Sequence, residues 1–344
     1  MKALVKVQKG IGFIEVRDVA VPKPKDGEVK IKIAACGICG SDIHVRHDSF
    51  PYWPPVILGH EFTGEVIETG EGCSVFKIGD RVVAEPHTKA CGQCYLCRTG
   101  NIQICPEKRS PGWGIDGGMA EYICYPEKLL HKIPDSMTID QAVMVEPTAN
   151  IVTDLLERTK VEAGDFIVIQ GPGPIGLLAA MAARAVGARD VAIIGTPADV
   201  EIRFKKAKEL GFNNLLNIGE VNPIEAVNDL TSGIGADIVV DCSGSPKAIS
   251  SMADLVKKMG KICAIGLTGN KKVELDWDKF AFKVATVIFN LSTFYTSWEK
   301  TISLINSGSI EAEKLVTHKA PIDDWEQVFD DIENLKALKG VLIP

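Results

Sequence analysis

Residues 166–187 read FIVIQGPGPIGLLAAMAARAVG, and this stretch decides the fold. A short apolar run, Phe166 to Gln170, predicts a buried strand. Gly171, Gly173 and Gly176 follow in a G-x-G-x-x-G array, and an alanine-rich helix former begins at once. Strand, glycines and helix in that order are the context in which the array binds a dinucleotide. Gly171 allows the tight turn, Gly173 lets backbone approach a pyrophosphate, and Gly176 lets the helix pack closely on its strand. Free N–H groups and partial positive charge at the helix N-terminus face the phosphates. Further strand-like runs at Val191–Ile194, Ala236–Val240, Lys261–Ile265 and Ala285–Phe289 are separated by helical segments. Strands alternating with helices predict an α/β unit with a doubly wound parallel sheet.

The chain has 344 residues, enough for about two domains. Its net charge of −7 argues against a nucleic-acid or anionic-membrane partner, which would select a basic face. No apolar run is long enough to cross a bilayer, and MKALVKVQKG lacks the features of a signal peptide. The expectation is a cytoplasmic protein. In a reducing compartment its ten cysteines point to metal ligation rather than to a disulfide scaffold.

Upstream of the glycine array the chain is β-rich. VKIKIA, Val29–Ala34, alternates as a half-buried strand does. Cys36–His44, CGICGSDIH, reads as a glycine-rich loop or turn. Strands are expected after Glu61 and over Gly79–Ala84, helices over Thr138–Val145 and on to about Lys160, and again over Ser297–Ser307. The final run, Gly340–Ile343, returns as a strand to the first domain. Within the first domain, CGQCYLCRTGNIQIC sets Cys91, Cys94, Cys97 and Cys105 at C-x2-C-x2-C-x7-C spacing. Four thiolates so spaced suit a closed tetrahedral zinc site, whose role is structural because no position stays open. An iron–sulfur cluster also uses clustered cysteines.

Cys39, His60, Glu61 and Glu146 are scattered thiolate, imidazole and carboxylate groups of the kinds that hold a catalytic zinc. Taken singly, each has a plainer reading. A loop cysteine is usually a small buried hydrophobe, and Cys36 with Cys39 forms a C-x-x-C pair that redox proteins use. A residue like Glu146 before Pro147 also caps a helix.

The ordered set CGICGSDIH, GHEFTGEV, the four-cysteine lobe, DGGMAEY, MVEPTA and GPGPIG resembles the zinc-dependent medium-chain dehydrogenases, the alcohol and polyol dehydrogenase family. The resemblance implies a GroES-like β-rich catalytic domain over residues 1–150 and 293–344, with the zinc lobe at 91–105. It implies a Rossmann cofactor domain over 151–292. Two zinc ions per chain are expected, one in the lobe and one held by Cys39 and His60, with Glu61 on or beside it and Glu146 as a further ligand, direct or through water. Glutamate at position 146 resembles the sorbitol, sugar-polyol and threonine dehydrogenase branches rather than the alcohol dehydrogenases, which carry cysteine there. The reaction implied is hydride transfer between a secondary hydroxyl of a polyol, sugar or sugar alcohol, phosphorylated or not, and NAD(P)+. Ser41 and His44 are expected to relay the proton through the cofactor ribose.

Cofactor contacts are expected from Gly171, Gly173, Pro174, Ile175, Gly176, Thr196, Arg203, Ser243, Gly266, Leu267 and Lys339. The acidic residue that bonds the adenosine ribose in NAD enzymes sits about 20 residues past the glycines. Here Gly195 and Thr196 hold that place, and Asp199 and Glu201 come late. Removing the carboxylate removes its repulsion of a 2′-phosphate, and Arg203 or Lys205 offers counter-charge, so both NADP+ and NAD+ stay open. Phe50, Trp113 and Phe294 are candidates for the substrate pocket. Some sorbitol dehydrogenases carry an arginine–tyrosine pair ahead of a tryptophan, but here STFYTSW, Ser292–Trp298, has no arginine. The rival readings are an amino-alcohol dehydrogenase of the L-threonine type, an NAD(P)-binding redox sensor without turnover, and a zinc-ribbon nucleic-acid binder. The resemblance also implies a homodimer or homotetramer.

Overall fold

The computed structural model describes residues 1–87, 89–269 and 272–344. Their contacts divide them into two compact units. The first comprises Met1–Ala149, Ser292–Asn306 and Ala312–Pro344, and the second Asn150–Leu291 and Ser307–Glu311.

The first unit is built on the strand Glu28–Gly37, where Val29, Ile31 and Ile33 are buried as their alternation demands. It pairs antiparallel with Glu61–Thr69, with Tyr122–Pro126 and, at its far end, with the C-terminal strand Lys339–Ile343. The full sheet adds Val316–Pro321 beyond the C-terminal strand and Arg81–Ala84 and Leu130–Lys132 beyond Glu61–Thr69. A smaller sheet pairs Lys2–Lys6 with Ile14–Asp18 and Val56–Ile57. The core between them includes Leu4, Ile31, Phe62, Val66, Val82 and Tyr125. One register matters for the site. Gly37 lies opposite both Glu61 and Val341, so the last strand is brought alongside the residues that follow His60.

The expected loop at Cys36–His44 contains a helix instead, Gly40–Arg46. Its start is made by Asp42, whose carboxylate accepts from the Cys39 backbone N–H at 2.9 Å while the Cys39 side chain faces the N3 amide. This reciprocal cap satisfies amides that a short helix would otherwise leave bare.

The second unit is a six-stranded sheet, parallel at every pairing, in the order Asn214–Asn217, Asp190–Gly195, Phe166–Gln170, Ala236–Asp241, Val256–Ala264, Thr286–Phe289. The chain order reverses at Phe166–Gln170, the switch point beyond whose carboxyl end such sheets bind ligands. Helix Pro174–Ala185 buries Gly176 through Ala183 without a break. Its small side chains let it lie closely against the sheet. The outermost strand Asn214–Asn217 has only two apolar residues and gives no periodic signal in the sequence. No helix among the described residues is long and apolar enough to cross a membrane.

Candidate active site and metal centres

Four sulfurs converge in the lobe. Cys105 Sγ lies 3.6 Å from Cys91 Sγ, Cys91 Sγ 3.9 Å from Cys97 Sγ, and Cys94 Sγ 3.9 Å from Cys105 Sγ. Zn–S bonds of about 2.3 Å place tetrahedral sulfurs about 3.8 Å apart, so the arrangement fits one zinc ion. Edges this short leave no room for a cluster of several irons and sulfides. The backbone N–H groups of Cys91, Cys94 and Cys97 donate to Cys105, Cys91 and Cys94 Sγ at 3.4, 3.4 and 3.5 Å. Such donors stabilise thiolates, and the N–H of Cys91 helps pull the Cys105 thiol down to about 7.

The second group joins Cys39, His60 and Glu61, whose ligand atoms lie within 4.8 Å of one another. Cys39 is fixed by the helix cap, and His60 and Glu61 by the entry to the strand Glu61–Thr69. His60 Nδ1 and Asp42 Oδ1 are buried without a hydrogen-bond partner. Burial opposes charge on the His60 imidazole, yet the Cys39 sulfur and the Asp42 and Glu146 carboxylates outweigh it and hold its pKa up at about 10. Burial likewise opposes charge on the Lys339 ammonium, and Glu61 above all more than compensates. A buried set with this surplus of negative charge draws protons onto its bases, and it is the donor set a divalent cation would satisfy.

Glu146 is buried, and its charge acts on His60, Lys339 and Lys108, although its carboxylate is not in the tight three-residue group. Lys108 is itself desolvated, which pulls it down to about 8. Lys339, expected as a cofactor contact, meets Glu61. It is buried, and its ammonium is taken up by Glu61 and, at 2.9 Å, by the carbonyl of Ile38. Sequence reasoning missed both Asp42 and this ion pair.

Ser41 Oγ is buried with no partner, while His44 is exposed with Nδ1 3.2 Å from Ser49 Oγ. The structure therefore does not join Ser41 directly to His44. Trp113 stacks obliquely on His60 at 4.8 Å, and Phe50 on Trp113 at 5.0 Å, so two of the three pocket aromatics form a wall beside the metal group. Phe294 is half-buried just before helix Tyr295–Asn306, its carbonyl accepting from Ser297.

In the second unit, Gly171 has φ +100°, and a Cβ on Gly176 would lie 1.9 Å from the Gly171 carbonyl, so both positions require glycine. Gly173 precedes the helix, Pro174 opens it, and Ile175 follows half-buried. Ser243 flanks Gly171, and Asp241 gathers Ser243 Oγ at 2.7 Å and, through its backbone carbonyl, the Gly266 amide at 2.9 Å. Leu267 is exposed beside them. Asp199, late in sequence, is turned back. Its carboxylate accepts from the Thr196 N–H and hydroxyl, both at 2.8 Å, and from Arg203 at 2.7 Å. At Gly195 an added Cβ would meet the Phe204 ring at 2.8 Å and Pro172 at 2.9 Å, which leaves no space for an acidic side chain there.

Residues 25–135 match the alcohol dehydrogenase GroES-like domain, and residues 174–307 match the zinc-binding dehydrogenase family. The chain is 38% identical to a sorbitol dehydrogenase of Halalkalibacterium halodurans over 100% of this chain and 99% of that one. It is 34% identical to a D-arabitol-phosphate dehydrogenase of Enterococcus avium over 99% and 97%. Among solved structures, a zinc-binding dehydrogenase from Sinorhizobium meliloti bound to NADP superposes with a TM-score of 0.92 at 29% identity, covering 100% of this chain and 99% of that one. Two family matches in order, relatives aligned end to end and two zinc-fitting donor sets converge on one conclusion: the chain belongs to the zinc-dependent medium-chain dehydrogenases, the alcohol dehydrogenase family.

Proposed function

We propose that the protein oxidises a secondary hydroxyl of a polyol or sugar alcohol, passing hydride to NAD(P)+. The observation that carries this reading is the Cys39–His60–Glu61 group, with His60 and Glu61 buried, Cys39 half-buried and the Glu146 carboxylate acting on it, a harder donor set than one of thiolates. The names of the sorbitol and D-arabitol-phosphate dehydrogenase relatives support it. Cys39 and His60, with Glu61 on or beside the metal and Glu146 as a further carboxylate, would hold the zinc, which would supply Lewis acidity that makes an alcohol proton easy to lose near neutral pH. Trp113 and Phe50 orient the carbon chain and exclude water beside His60. Ser41 Oγ, buried and unpartnered, would accept the alcohol proton, and the exposed His44 would pass a proton to solvent.

A nicotinamide cofactor, when bound, would take up the hydride, and the glycine turn and the N-terminus of helix Pro174–Ala185 would hold its pyrophosphate. We read the cofactor as NAD+ or NADP+, since Gly195 leaves no space for an acidic side chain of its own while Asp199 returns a carboxylate to Thr196 and holds Arg203 beside it. Arg203→Ala should lower the ratio of kcat/KM for NADP+ over NAD+ by about tenfold, the effect of one charged contact. An unchanged ratio would assign the choice to another residue.

We further read a homodimer or homotetramer in the cytoplasm. Among the described residues the outer strand Thr286–Phe289 pairs on one side only and, with its flanks, exposes Phe282, Val284, Phe289 and Leu291, surface that a second copy would cover. All ten cysteines are unpaired, as in a reducing compartment.

Glu146→Gln separates a metal-shell role from helix capping. A cap tolerates the amide with near-normal turnover, whereas a residue of the metal's shell loses about tenfold to a hundredfold in kcat. We expect the loss, together with a lower content of the more labile zinc. Oxidation rates with polyols, polyol phosphates, sugars and L-threonine test the substrate reading, and threonine as the one good substrate would replace it.

A further inference from the structure

Lys108 has no part in the chemistry above. Its ammonium donates to the Gln103 carbonyl at 3.1 Å and to Ser292 Oγ at 3.0 Å. An ammonium carries three N–H groups, and the third has no acceptor among the described residues. No carboxylate among them lies within ion-pair distance of it either. The one carboxylate whose field reaches Lys108 is Glu146, which also acts on His60. Lys108 and the metal group therefore share a neighbour in the same unit.

The groups next to Lys108 are polar and uncharged, and the carboxylate of Glu85 lies beyond them, 3.4 Å from His87 Nε2. Ser292 Oγ, which receives its hydrogen bond, is 3.4 Å from His87 Nδ1. Burial keeps the His87 imidazole neutral, lowering it to about 3. On its other side His87 Nε2 lies 3.2 Å from Thr293 Oγ1, which accepts from Trp298 Nε1 at 2.9 Å. A partly desolvated ammonium with an open N–H and no ion pair is costly, and a bound anion would offset that cost.

We propose that Lys108 recognises an anionic group on the substrate, so that the preferred substrate is a polyol bearing a terminal phosphate or carboxylate rather than a neutral polyol. This rests on the polyol reading above. One end of the chain presents its hydroxyl beside Cys39, His60 and Glu146, and the charged end meets Lys108 and the Ser292 hydroxyl.

The test is calorimetric binding and steady-state turnover of the zinc-replete enzyme with a five-carbon polyol, its terminal phosphate and the corresponding aldonate. An anionic ligand should bind about tenfold to a hundredfold more tightly than the neutral polyol, as one charge-assisted contact provides. That preference should vanish in Lys108→Gln, persist in Lys108→Arg, and weaken several-fold in Ser292→Ala, which supplies a second variant should Lys108→Gln not fold. Tighter binding of the phosphate or of the aldonate identifies which anion is read. Equal binding of all three, or a preference that survives Lys108→Gln, overturns the proposal. A Lys108-dependent preference without turnover would uphold the recognition site and reject polyol oxidation. Failure of all three to bind would reject both.

Discussion

His60→Ala is expected to reduce kcat/KM by about a thousandfold or more, the loss that follows when several kcal/mol of Lewis-acid stabilisation disappear. His60 is the central donor of the buried group. It stands against the Cys39 sulfur and lies under the Trp113 ring. Removing it leaves Cys39, Asp42, Glu61 and Glu146 with their negative charge and one nitrogen donor fewer, so the catalytic zinc should be lost. Because His60 is buried, the variant must be shown to be folded. The four-cysteine lobe provides that control, since the variant should keep one zinc per chain where the parent has two. A variant that retained two zinc ions and turned over within tenfold of the parent would remove His60 from the site.

Cys94→Ser should act on stability. Cys94 Sγ sits 3.9 Å from Cys105 Sγ and accepts the Cys97 amide, so it belongs to the four-sulfur group and caps the helix Tyr95–Arg98. That helix buries none of its residues, and Tyr95 is 78% exposed, so apolar packing does not hold the lobe. Metal binding free energy takes the place of a core in such segments. A serine hydroxyl does not ionise near neutral pH and binds zinc poorly, so the lobe should open and one zinc per chain should be lost. A destabilisation of several kcal/mol lowers Tm by about 10 °C in a protein of this size. Turnover per folded molecule, measured well below the new Tm, should change far less than in His60→Ala. An unchanged Tm with two zinc ions retained would contradict the structural role.

Features that depend on neighbouring residues were legible in the sequence. The lobe's four ligands fall within fifteen residues, and the strand, glycines and helix of the cofactor turn are contiguous. Cys39 and His60 lie 21 residues apart, and no spacing rule joins them, so only the resemblance of ordered motifs brought them together. Features set by long-range register stayed hidden. Lys339 meets Glu61 because the last strand pairs beside Gly37, and nothing in the local sequence encodes that pairing. Asp42 reads as one more polar residue in a glycine-rich loop, yet it caps a helix and stands near His60. Asp199 looks displaced from the acidic position, and a single tight turn returns its carboxylate to Thr196.

The most direct test of the account is NAD(P)+ reduction by a polyol panel, measured on the purified enzyme, after removal of its more labile zinc, and after zinc is restored. Polyol-dependent reduction should fall by at least about a hundredfold when that zinc is removed and return when it is added back. Reduction that proceeds equally well without it, or an enzyme that binds NAD(P)+ and two zinc ions yet oxidises no polyol, would contradict the account.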